Sequence, residues 1–177
     1  MARSLLLTGH PGIGKTTIIE HVIHILGNQA GGFYTREISG PGGRKGFRLL
    51  TLDGKEAVLA HKDLRSPRYP TVGRYGVDVE ALERVGVAAL HAAMDQDRII
   101  IVDEIGKMEL YSQTFQETLM RAIIGPHHVV GTVMLKPHPG AAIFKMLAQV
   151  TVWEVERRNR DAMVGRVLKW IRELHRT

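Results

Sequence analysis

The stretch that most constrains this chain is Gly9-His10-Pro11-Gly12-Ile13-Gly14-Lys15-Thr16-Thr17. It follows the apolar run Ser4-Leu5-Leu6-Leu7-Thr8 and opens into a segment with apolar residues at 18, 19, 22, 23, 25 and 26. The spelling fits G-x-x-x-x-G-K-[ST] in a strand–loop–helix context, the arrangement of a phosphate-binding loop. Backbone N–H groups can wrap a triphosphate only where Cβ atoms stay clear of it, which accounts for Gly9, Gly12 and Gly14. Lys15 brings a compact positive charge to the β- and γ-phosphates, and the Thr16 hydroxyl is placed to ligate the Mg²⁺ that bridges them. The helix that follows adds its positive N-terminal dipole. The whole loop, with His10, Pro11, Ile13 and Thr17, is therefore expected to bind nucleotide.

A second signature lies far downstream. Arg98-Ile99-Ile100-Ile101-Val102-Asp103-Glu104 is a continuous β-branched run ending in two carboxylates, which reads as a fully buried parallel strand whose end meets the site. In that arrangement Asp103 holds the Mg²⁺ and completes what Thr16 begins. Glu104, where the chain leaves the sheet, can turn toward the γ-phosphate to orient and deprotonate a water. Asp103-Glu104-Ile105-Gly106 also satisfies the D-x-x-G of switch GTPases, but the Asn-Lys-x-Asp used for guanine is absent, and Asn159-Arg160-Asp161 has the wrong spacing. A further apolar run, His127 to Met134, carries Thr132 near its C-terminal end. There a hydroxyl either senses the γ-phosphate or holds the attacking water, or else is a satisfied core threonine.

Between the signatures the chain departs from simple α/β alternation. Phe33 to Ile38 reads as a strand, and Gly46 to Leu52 and Glu56 to Ala60 flank Asp53-Gly54, a hairpin signal. A β-meander of three strands, over about residues 33–61, is expected to extend one edge of the sheet. Asp63 to Tyr75, with Arg65, Arg68, Arg74, Pro67 and Pro70, reads as a basic loop near the site. Val79 to Met94 is an amphipathic helix, Ser112 caps another that carries Phe115, Leu119 and Ile123, and Val150 to Val155 is the last strand. The closing helix places Met163, Val164, Val167, Leu168, Ile171 and Leu174 on one stripe. The expected fold class is α/β, a mostly parallel sheet with helices on both faces, forming one domain over 177 residues.

Composition narrows the class further. Cysteine is absent, which excludes a disulfide framework, a thiolate metal site and a cysteine nucleophile and suits a reducing cytosol. The apolar run at the N-terminus passes straight into the loop, so a cleaved leader there would remove the site. No stretch approaches the roughly 18 apolar residues of a membrane span, and the protein is expected to be cytoplasmic and monomeric. Lys plus Arg exceed Asp plus Glu by 24 to 18, giving +6. Cations around a phosphate site and a basic C-terminal helix (Arg166, Lys169, Arg172, Arg176) account for that excess; no motif supports nucleic acid as a partner.

With these pieces placed, the chain resembles the cancer-related or thermophile-type nucleoside-triphosphatase family of phosphate-loop proteins. The likeness rests on Gly9 to Thr17, on Gly32-Phe33-Tyr34-Thr35-Arg36-Glu37, on Val72-Gly73-Arg74-Tyr75-Gly76-Val77-Asp78, on Asp103-Glu104-Ile105-Gly106-Lys107-Met108-Glu109-Leu110 and on Asn159-Arg160-Asp161. It implies a single three-layer RecA-like domain that hydrolyses ATP, GTP and other nucleoside triphosphates slowly, with Mg²⁺. The sequence departs from the family pattern at His10, where proline is common, and at Glu156-Arg157-Arg158, where a Thr-x-Glu usually precedes Asn-Arg.

The expected activity is thus Mg²⁺-dependent hydrolysis of a nucleoside triphosphate to diphosphate and phosphate. Lys15 and the loop amides hold the phosphates, Thr16 and Asp103 the metal, and Glu104 activates water; Arg74 and Arg160 are candidates for neutralising transition-state charge. Two rivals stand beside it. One is a small nucleotide or metabolite kinase using Arg65, Arg68 and Arg74 as an acceptor clamp. The other is a nucleotide-gated switch that binds RNA or protein.

Overall fold

The structure, a computed structural model, describes residues 3–174; Met1 and Ala2, where the leader argument begins, and Arg176 of the basic helix lie outside the described residues. Strand β1 (Ser4–Thr8) is buried over its whole length, as a strand of five apolar or hydroxylated residues flanked on both sides must be. It lies in a nine-stranded sheet of order β5-β6-β4-β3-β2-β7-β8-β1-β9. The half containing β7 (Ile99–Ile105), β8 (Val129–Val133), β1 and β9 (Val150–Glu154) is parallel.

Strand β2 (Ala30–Gly40) joins the two halves. Its first residues, Ala30 to Phe33, pair parallel with β7, and from Phe33 onward it pairs antiparallel with β3 (Gly43–Thr51). Strand β4 (Glu56–His61) follows β3 through a turn at Asp53-Gly54, where Thr51 N–H donates to Lys55 O at 2.8 Å.

The pleat of the parallel strands makes the layers. Leu5, Leu7, Ile99 and Ile101 face one side and pack on helix α1 (Lys15–Leu26) through Ile18, Ile19 and Val22, and on α6 (Arg160–Leu174) through Met163, Val167 and Ile171. Leu6, Ile100 and Val102 face the other side. There they meet the helix spanning residues 79–95 through Leu82 and Leu90, α4 (Gln113–Ile124) through Phe115 and Leu119, and α5 (Pro139–Lys145) through Phe144. Alternation with period 2 in the sheet and stripes of period 3.6 in the helices is what a helix–sheet–helix sandwich requires.

Two readings from sequence need correction. Asp63 to Tyr75 is not all loop: Thr71–Val72 forms β5 and Tyr75–Val77 forms β6, a hairpin turning at Gly73-Arg74 with Gly73 at φ +57°. The antiparallel extension therefore runs through β2, β3, β4, β6 and β5, beyond the three-stranded meander. Runs of two and three residues are too short for alternation to reveal. The helix over residues 79–95 is not uniformly α: α2 (Val79–Ala81) passes through a π-helical turn, Leu82–Val87, into α3 (Ala88–Asp95). The wider turn puts Leu82, Val85, Gly86 and Val87 all into the core, more than an α turn can present to one sheet face.

Candidate active site

The phosphate loop joins the C-terminal end of β1 to α1, the edge of an open parallel sheet where ligands bind. Gly9 has φ +152°, and a Cβ there would lie 2.7 Å from the Val155 carbonyl oxygen. The segment after β9 is thus packed directly on the loop, an approach that Val155 N–H to Thr8 O, 2.7 Å, holds in register. Gly14, left-handed at φ +112°, starts α1. The Lys15 ammonium lies across the loop, donating to Gly9 O at 2.7 Å and His10 O at 3.3 Å. Side chains of His10, Pro11 and Thr17 are exposed, while Ile13, Lys15 and Thr16 are half-buried.

Asp103 is buried on β7, and its two oxygens are taken by two threonines from different elements. Thr16 Oγ1, in the first turn of α1, donates to Oδ2 at 2.9 Å; Thr132 Oγ1, on β8, donates to Oδ1 at 2.5 Å. Burial pushes the Asp103 carboxyl up, and hydrogen bonds from Thr132 and Thr16, the Thr35 amide and the Lys15 charge pull it back toward the carboxylate. A hydroxyl beside a carboxylate is an adjacent pair of hard oxygen donors, the chemistry a small divalent cation takes. Glu104, the next residue, is also pushed up by burial and then by the Asp103 charge, with Lys15 opposing. A raised carboxylate that feels the Lys15 charge is chemically suited to accept a proton from water.

The remaining expected site residues are more scattered. Arg74, on the β5–β6 turn, stacks over the Tyr75 ring at 5.5 Å and donates to its hydroxyl at 3.3 Å. Arg160 opens α6 and sits 3.5 Å from Asp161. Arg68 pairs with Glu80 at 2.8 Å and Arg65 donates to Lys62 O at 3.1 Å, so both have protein partners. Asn159, in the segment after β9, spends its amide on the turn: Oδ1 accepts from Glu156 N–H and Nδ2 donates to Glu154 O, each at 2.9 Å.

One acid went unassigned in the sequence beyond its place in a string. Glu109 is 5% exposed, accepts from Gly106 N–H at 3.2 Å, and has its carboxyl pushed up to about 8 by burial and by the Glu104 charge. The signal available was an acid in the short turn directly after two acids, where a solvated charge could have stood equally well.

A glycine-rich loop closing on a lysine, a threonine joined to a buried aspartate across the sheet, and a glutamate at the aspartate's strand end define a phosphate-loop nucleoside-triphosphatase. Comparison with known proteins agrees. The family model described as NTPase matches residues 4–168. Nucleoside-triphosphatase THEP1 of Thermotoga sp. (strain RQ2) is 41% identical over 164 residues, covering 93% of this chain and 92% of that protein. The cancer-related nucleoside-triphosphatase homolog of Mus musculus is 35% identical over 178 residues, covering 93% and 94%. The crystal structure of THEP1 from the hyperthermophile Aquifex aeolicus superposes with a TM-score of 0.85 at 33% identity, covering 94% of this chain and 98% of that one. The solution structure of a human cancer-related nucleoside triphosphatase gives 0.83 at 32%, covering 97% and 98%. The chain belongs to this nucleoside-triphosphatase family, and its substrate is a nucleoside triphosphate. Among the described residues, no helix is long and apolar enough to cross a membrane.

Proposed function

We propose that this chain acts as a single-domain, monomeric, cytoplasmic enzyme that hydrolyses several nucleoside triphosphates, ATP and GTP among them, with Mg²⁺. The observation that supports this most directly is the 2.9 Å bond from Thr16 to Asp103, which brings phosphate loop and acidic strand to one point, with Glu104 next to it. Thr16 and Asp103 would hold the cation, whose charge, when bound, offsets that of the β- and γ-phosphates.

The protein's own groups do the rest. Nucleotide entry replaces the Gly9 and His10 carbonyls as partners of Lys15, so the ammonium moves from the loop to the phosphates without leaving its place in the first turn of α1. Thr132 holds the Asp103 carboxylate and leaves Glu104 as the acid free to orient water. As water attacks the γ-phosphorus, the bond to the bridging oxygen breaks, Glu104 takes the water proton, and nucleoside diphosphate leaves with the bond's electron pair. Arg160 follows the segment packed on Gly9 and is the candidate for neutralising charge in the transition state; Arg74 has the same candidate role from the β5–β6 turn. Arg65 donates to Lys62 O and Arg68 pairs with Glu80; the carboxylate Glu104 beside Asp103, suited to activating water, favours hydrolysis over the kinase reading.

Phosphate release from ATP, GTP, CTP and UTP, with Mg²⁺ or with chelator and with no acceptor present, tests the proposal. Release from more than one nucleotide, lost on chelation, is expected. Release unaffected by chelation, or confined to reactions given an acceptor, would overturn it.

A further inference from the structure

Gly106 lies between two carboxylates. A Cβ on it would stand 2.8 Å from Glu104 Oε1 and 3.2 Å from Glu109 Oε2, so the turn after β7 is shaped around both acids and has no room for a side chain of its own. Glu109 and its neighbours bond that turn at several points. Glu109 Oε2 accepts the Gly106 N–H at 3.2 Å, while the Gly106 carbonyl accepts the Leu110 N–H at 3.0 Å and the Glu109 carbonyl the Ser112 N–H at 3.0 Å. Upstream, Ile105 O accepts Met134 N–H at 3.1 Å, fixing the other side of the Glu104 backbone to the chain leaving β8.

A buried acid set on backbone amides is an expensive way to brace a turn unless the oxygen has a task, because burial strips the water that would otherwise solvate it. The charge count points the same way. Asp103 and Glu104 already stand together, and a third ionised carboxylate beside them would oppose a polyanionic substrate. Burial and the Glu104 charge keep the Glu109 carboxyl protonated near neutrality, with Asp103 adding in the same direction; the Glu109 and Gly106 amides oppose. Glu109 therefore acts as a neutral acceptor, whose work is to hold backbone.

We propose that Glu109 is a positioning residue: by clamping Gly106, it fixes the carboxylate of Glu104 against the terminal phosphoryl group. This rests on the reading of Glu104 as the acid that orients water. Glutamine at 109 keeps an acceptor oxygen at the same reach; alanine leaves Gly106 N–H without a partner and the Glu104 side chain free to shift over the turn. A misplacement of about 1 Å in such a group costs about 10²-fold in rate.

The experiment measures kcat and KM for Mg-ATP in E109A, E109Q, E104Q and the double variant E104Q/E109A, with melting temperatures and the Kd of a non-hydrolysable ATP analogue. E109A is expected to lose at least about tenfold in kcat while the Kd of the analogue stays within about threefold, and E109Q to recover most of that loss. The double variant should be no slower than E104Q alone, because Glu109 acts through Glu104. Wild-type kcat in E109A, a loss in E109Q equal to that in E109A, or independent losses in the double variant would each overturn the proposal. If E109A does not fold, G106A replaces it: its Cβ displaces the Glu104 carboxylate with Glu109 intact, and unchanged kcat there also overturns the proposal. Unchanged turnover in E104Q would instead refute the reading of Glu104, a separate outcome.

Discussion

The Thr16 hydroxyl donates to Asp103 Oδ2 at 2.9 Å, joining the first turn of α1 to β7 although β8 separates β7 from the strand that leads into that helix. Thr132, on the intervening strand, takes the other oxygen at 2.5 Å. Asp103 is thereby held from both α1 and β8.

Under the proposal that Asp103 holds the cation, Thr132 is expected to tune its binding. The Thr132→Val substitution keeps the volume at a fully buried position but deletes the donor to Asp103. A hydrogen bond to a charged group is worth about 1.5–3 kcal/mol, so the Mg²⁺ concentration for half-maximal turnover should rise about 10- to 100-fold. The acid limb of the rate profile should also move to higher pH, since Thr132 lowers the proton affinity of Asp103. A Mg²⁺ titration that superposes on wild type would contradict this role.

Lys15 donates to the Gly9 and His10 carbonyls, which it can exchange for phosphate oxygens. In Lys15→Ala, binding of a non-hydrolysable nucleotide, followed by calorimetry, should weaken at least about tenfold, the worth of one charged hydrogen bond. Turnover should fall with it. Equal affinity in the two proteins would show that the ammonium does not reach the phosphates.

Glu109 gives a pH signature in stability. Its carboxyl lies at about 8 in the fold against an ordinary value of 4.5, so between these values the folded chain holds a proton that the unfolded chain has released. Stability from this group is complete below about pH 4.5 and is lost as pH rises, at about 1.4 kcal/mol per unit, until the folded carboxyl itself ionises near 8. In chelator, the melting temperature of wild type should therefore decline more steeply from pH 5 to 8 than that of Glu109→Gln. Parallel melting curves for the two would show that Glu109 is already ionised in the fold.

Those elements whose chemistry fixes their spelling were readable in the sequence. The loop from Gly9 to Thr17 and the acids ending the run from Ile99 to Val102 could be placed from letters alone, because backbone cradling and a buried parallel strand each demand particular residues. The hairpin at Asp53-Gly54 and the Ser112 cap, whose Oγ accepts from Phe115 N–H at 2.9 Å, were legible for the same reason.

Convergence that no motif announces was not. Thr132 could be read equally well as a site residue or a core residue, because its partner sits 29 positions away. Glu109 had no assignment beyond its place in a string, since nothing in the letters shows that its short turn is buried. The β5–β6 hairpin was too short to show a period, and the partners of Arg65 and Arg68 follow from where Lys62 and Glu80 fall in space.

The most direct test of the account compares two quantities in one variant, Glu104→Gln: affinity for Mg-nucleotide and rate of phosphate release. Binding should match wild type within about threefold while release falls by about 10²- to 10⁴-fold, the contribution of a positioned general base. Phosphate release at the wild-type rate from the folded, nucleotide-binding variant would contradict it.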